Sequence, residues 1–159
     1  VRCLNKNGYV YDSSEVIVTD PSLYTNKQTS NIISFYSKAK FDVPHLKGKV
    51  LEIPVSLPDD EILTDRLGCS NAQILGIWKK MLQNCIARKG VFVLQLHPER
   101  FFLLRGILEA LIVYARQNKI PIKTLGEVAN DWKKGLRNSC FCITGDLDFF
   151  SLYEKVFVI

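Results

Sequence analysis

The stretch VFVLQLHPER, residues 91–100, constrains the fold more than any other part of the chain. Its first six residues are apolar except for Gln95. A strand that faces water on one side alternates polar and apolar positions, so this run reads as a strand covered on both faces, as in a parallel sheet. Gly90 punctuates before it, and Pro98 after it suits a first helical turn, where a missing N–H costs nothing. The spacing therefore predicts a buried strand that runs straight into a helix.

Strands and helices alternate around it. Residues 8–11 (GYVY) read as a short strand ending in Asp12-Ser13-Ser14, and residues 20–40 as a long polar loop. Residues 49–55 read as a second strand, with Pro54 marking an end or irregularity. Between residues 70 and 88, Ile74, Ile77, Trp78, Met81, Leu82, Cys85 and Ile86 recur at helical spacing on one face. The helix after Pro98 runs to about Asn118, Thr124 and Glu127 form a capping box, and Gly135 closes that helix. Such alternation predicts an α/β fold with parallel strands and outer helices. Residues 140–145 and 156–159 read instead as antiparallel strands of an appended β element.

Composition narrows the function classes. With 159 residues, 47% hydrophobic and 23% charged, the chain is long enough for a buried core and has no run approaching the roughly 20 apolar residues of a membrane span. The +5 charge is spread in short pairs without an aromatic-basic stripe, which argues against nucleic acid as a partner. The five cysteines show no zinc spacing and suit reduced thiols in a cytoplasmic setting. Val1 in place of methionine, a helix-like opening and an apolar last stretch suggest a fragment.

Sites in parallel βα proteins form beyond the carboxyl ends of the strands. Here those ends carry Asp12, Asp59 with Asp60, and His97, a mixture of imidazole and carboxylates suited to acid–base work. Each has a plainer reading. Asp12 is a good turn residue, Asp59 could cap the helix DEILTDRL, and His97 could simply precede a proline-started helix. His45 reads as structural or exposed, Trp78 and Trp132 as core, and Arg100 as able to reach the site mouth.

The motifs GYVYDSS, LEIPVSLPDD, VFVLQLHPER and TLGEVANDW, in this order, resemble the C-terminal half of the polysaccharide deacetylase family (carbohydrate esterase family 4, the NodB-homology domain). The resemblance covers roughly residues 1–135. It implies the C-terminal portion of a distorted (β/α)7 barrel over residues 1–136, followed by an appended β element over residues 137–159. It also implies metal-dependent hydrolysis of acetamide or acetyl ester groups on sugars. Carried over, His97 is the general acid and Leu94 or Leu96 lines the acetyl pocket. Asp12 is the candidate orienter of His97, and Asp59, Asp60 and Arg100 are candidates for contacting substrate.

The family's base aspartate, its metal aspartate and its metal histidine pair have no counterparts here, so the divalent metal, zinc first, is expected to find no ligands in this chain. Two rivals remain: a non-catalytic barrel remnant serving as a sugar-binding or interaction module, and a same-fold amidohydrolase acting on another C–N bond. Half a barrel would also expose a sheet edge, with self-association as the expected consequence.

Overall fold

The computed structural model describes residues 2–18 and 43–146. The expected loop at 20–40 and the expected strand at 156–159 lie outside the described residues. In chain order the elements are α1 (Arg2–Lys6), β1 (Tyr11–Asp12), β2 (Val16–Val18), β3 (His45–Lys47), β4 (Val50–Glu52) and β5 (Val55–Leu57). A π-helical turn (Ile62–Arg66), α2 (Asn71–Ala87), β6 (Val91–Leu96) and a 3₁₀ turn (Pro98–Arg100) follow. The last elements are α3 (Phe101–Gln117), α4 (Leu125–Lys133) and β7 (Cys140–Gly145).

Parallel pairing dominates. β1 pairs with β4, β2 with β5, and β6 with β7, all parallel, while β3 and β4 form an antiparallel hairpin. Gly48 occupies the first turn position of that hairpin at φ 66°, a left-handed conformation that favours glycine. The α/β class expected from the alternation is therefore present. Among the described residues the ladders make three sheets and do not close into a barrel.

Two apparent strand ends are in fact interruptions. Tyr11 and Asp12 register with Leu51 and Glu52, and pairing resumes with Val16 opposite Val55. Residues 13–15 thus stand against residues 53–54, one extra residue in the manner of a bulge. The ladder carries on through it, with Ile53 N–H donating to Asp12 O (2.9 Å) and Val55 N–H to Glu15 O (2.8 Å). Glu52, fully buried, accepts the Ser14 and Glu15 N–H groups on Oε1 (3.1 and 2.9 Å), satisfying donors that the bulge would otherwise strand. Pro54 sits at the matching break between β4 and β5, as its missing N–H predicts.

β6 is covered on both faces. Phe92, Leu94 and Leu96 join a core with Trp78, Met81 and Leu82 of α2 and Leu104, Leu108 and Leu111 of α3. Val91 and Val93 face the other way, with Leu51, Ile53, Val55, Cys140, Cys142 and α4 residues Val128 and Ala129. This two-sided burial is what the continuous apolar run required. The capping boxes at Ser70–Gln73 and Thr124–Glu127 start α2 and α4.

Contrary to the antiparallel expectation, residues 140–145 form a parallel strand paired along its full length with β6, from Val91↔Cys140 to Leu96↔Gly145. Helices α3 and α4 supply the crossover that a parallel connection needs. Phe141 stacks on Phe92 with ring centroids 5.4 Å apart.

Trp78 is fully buried and its Nε1–H donates to Pro58 O at 3.2 Å. Trp78→Ala should therefore lower unfolding free energy by about 3–5 kcal/mol, read from the urea midpoint. An unchanged midpoint would show that α2 does not pack on this core.

Candidate functional site

β5 and β6 run side by side in one direction. Ser56 Oγ accepts the Val93 N–H (3.1 Å), and four residues further along each chain Asp60 meets His97. Both links span the same sequence separation of 37, which only segments advancing together can maintain. The carboxyl ends of these two strands therefore deliver Asp59-Asp60 and His97 to one place.

Asp60 is fully buried and His97 is 3% exposed. Asp60 Oδ2 accepts the His97 backbone N–H (2.8 Å), and Oδ1 lies 2.6 Å from His97 Nδ1 and accepts the Glu61 N–H at 3.0 Å. Both Asp60 oxygens already accept backbone N–H groups, so the carboxylate acts as acceptor and the shared proton is assigned to Nδ1 of His97. His97 occupies the N-cap position of the 3₁₀ turn, yet its side chain makes no capping bond. Its ring is held by Asp60 instead.

Asp59 caps the turn that follows, its Oδ1 accepting the Ile62 N–H at 2.9 Å. Burial pushes the Asp59 carboxyl above the usual carboxylate range, and the charge of Asp60 adds to this, while the Ile62 N–H and His97 oppose it. The sign of the pH effect follows. A carboxyl with a raised folded-state value contributes stability that is present below the ordinary aspartate range and is lost as pH rises through the raised value. Asp59→Asn keeps an acceptor for Ile62 and removes the charge, whereas Asp59→Ala removes both. Thermal melts between pH 3 and 8 should show the wild type losing more stability than the Asn variant on going up in pH. The Ala variant should lie about 1 kcal/mol below the Asn variant throughout. Parallel pH profiles for wild type and Asn variant would contradict the assignment.

A second layer ties the two loops together. Arg100 Nη2 donates to Asp65 Oδ2 (2.6 Å) and its Nη1 to Glu99 Oε1 (2.8 Å), joining the π-helical turn to the 3₁₀ turn. The hydrogen bond from Arg100 is the main reason the Asp65 carboxyl lies below its usual range. At the end of β7, Asp146 accepts from Gln95 Nε2 on Oδ2 (2.9 Å) and donates its own N–H to Leu96 O (3.0 Å). Since Gly145 registers with Leu96, Asp146 stands level with His97. Asp146 is not among the candidates named from the sequence, because residues 137–159 read there as an appended element; its signal is an acidic residue directly after an apolar strand.

Other candidates fall elsewhere. Asp12 does not orient His97. Its Oδ1 accepts the Ser13 N–H and its Oδ2 the Ser14 hydroxyl, both at 2.9 Å, inside the bulge, and the strand resumes at Val16. Leu94 is fully buried and Leu96 nearly so, both in the core facing α2 and α3, which leaves them to packing. His45 is an exposed residue of β3, with Nε2 3.2 Å from Glu15 Oε2.

No metal ligands could be named from the sequence, but the structure gathers a buried group that could hold a metal ion. One ligand atom from each of Asp59, Asp60 and His97 lies within 4.8 Å of the others. The Nδ1···Oδ1 separation of 2.6 Å suits a shared proton. Two ligands on one tetrahedral zinc ion stand about 3.3 Å apart, so the pair would have to open to admit an ion.

No helix among the described residues is long and apolar enough to cross a membrane. Searches of protein-family models, curated proteins and solved structures find no match to this chain.

Proposed function

We propose that this chain is the C-terminal part of a metal-dependent carbohydrate deacetylase, in which His97, held by Asp60, is the general acid. The observation that carries this reading is the buried Asp60–His97 pair where β5 and β6 end. The motif order GYVYDSS, LEIPVSLPDD, VFVLQLHPER and TLGEVANDW supports it.

An amine leaves an acetamide carbon badly unless it is protonated, and a positioned acid contributes roughly 10²–10⁴ in rate. Asp60 stabilises the imidazolium and keeps one proton on Nδ1, so the transferable proton is the one on Nε2. After transfer the ring is neutral and still anchored. When bound, a divalent metal, zinc in this reading, would supply the activated water. His97 is committed to Asp60, so the ligands of that catalytic ion are taken to be other residues. Phe101 and Phe102, exposed on the first turn of α3 just past His97, offer apolar faces on which a sugar ring can pack. Asp146 and Arg100 flank the same end, as candidates for sugar hydroxyls. The five free cysteines favour a reducing, cytoplasmic setting. Tyr9, Val10 and Tyr11 are exposed along the β1 edge, where a further strand or a second copy could pair.

Acetate release is the test. Protein carrying this chain, incubated with N-acetylated oligosaccharides, should release acetate, lose that activity to a chelator and regain it with zinc. Turnover of a ring amide without release of acetate from any sugar would favour the amidohydrolase instead.

A further inference from the structure

We infer that Asp59, Asp60 and His97 form a second divalent-cation site, separate from that of the activated water, which excess zinc occupies and which then silences the acid. The effect on turnover rests on the role of His97 proposed above; the binding does not.

Three features converge on an ion. First, donor atoms of the three residues already lie within 4.8 Å of one another, and the set of one imidazole and two carboxylates suits zinc. Second, the two carboxylates are 7% and 0% exposed and stand beside a single imidazole, so an ion would find two nearly buried oxygen donors and a nitrogen donor already gathered. Third, Asp59 is only half used. Oδ1 takes the Ile62 N–H, while Oδ2 accepts no hydrogen bond among the described residues. That oxygen is not sealed from water, so it stands open to an incoming ion.

Binding requires a small rearrangement. The His97 Nδ1–Asp60 Oδ1 separation opens from 2.6 Å to about 3.3 Å. The ion takes the place of the Nδ1 proton, which leaves to solvent, and Asp59 completes the set. The Asp60 bonds to the backbone N–H groups of Glu61 and His97 hold that carboxylate in place during the exchange. With the ion bound, His97 is a ligand, and the imidazolium required for proton donation cannot form.

The test is titration of the full 159-residue chain with zinc ions alone, followed by calorimetry and by ¹⁵N-imidazole spectra. The chain has only two histidines, so His45 is an internal control. One equivalent of zinc should move the His97 ring resonances and leave those of His45 in place. Asp59→Asn, which keeps the cap on Ile62, should weaken this binding about tenfold or more. His97 resonances unmoved at saturating zinc, or unchanged affinity in the Asp59→Asn variant, would overturn the site. Should that variant fail to fold, the wild-type spectra decide alone. A chain that binds zinc at His97 yet belongs to a protein releasing no acetate would uphold this site and refute the deacetylase. Acetate release without zinc binding at His97 would do the reverse.

Discussion

Asp60→Asn should reduce acetate release by about 10²–10⁴ and destabilise the fold at the same time. The reason lies in the donors around the carboxylate. Oδ1 receives the Glu61 N–H and the His97 Nδ1 proton, and Oδ2 receives the His97 backbone N–H. An asparagine must turn its NH₂ toward one of these sides. Against Oδ2's partner it meets the His97 backbone N–H, donor to donor. Against the other side it meets the Glu61 N–H and forces the imidazole to surrender its Nδ1 proton, giving the wrong tautomer for an acid. Either orientation leaves a buried donor unpaired, at about 1–3 kcal/mol. Asp60→Ala, which abandons the ring altogether, should cost nearer 3–5 kcal/mol. Activity and urea denaturation on the same samples separate the two effects. Full activity in a stably folded Asp60→Asn protein would mean that the carboxylate only packs.

The helices and the central strand were legible in the sequence because each carries a local physical signature. The apolar spacing from Ile74 to Cys85 is the buried face of α2, Thr124 and Glu127 cap α4, and the unbroken run VFVLQL is a strand buried on both sides. His97 was legible for the same reason, standing where such a strand must end.

Its partner was harder to see. Asp12-Ser13-Ser14 and Leu57-Pro58-Asp59-Asp60 both look like strand ends, and local chemistry does not separate a terminus from a bulge. What separates them is distant. Glu52, some forty residues from the bulge, buries its carboxylate under the Ser14 and Glu15 N–H groups, so the strand survives the interruption and Asp12 stays inside it. Asp60 reaches the site because Ser56 keys β5 to Val93 of β6, a register no local pattern encodes. The parallel pairing of β7 is hidden from the sequence for a related reason: its partner lies nearly fifty residues back in β6, and its short polar approach resembles the start of a hairpin.

The most direct measurement of the central claim is the rate of acetate release by His97→Asn in protein carrying this chain. Asparagine places an amide nitrogen close to the position of Nδ1, so Asp60 keeps its donor and the pair stays satisfied, whereas alanine would leave a fully buried carboxylate short of one partner. The variant has no group that can deliver a proton at the position of Nε2. With N-acetylated oligosaccharide as substrate, turnover should fall about 10²–10⁴ while KM changes little. Its urea midpoint should stay closer to that of the wild type than that of His97→Ala. Wild-type turnover in a folded His97→Asn protein would contradict the claim that His97 is the acid.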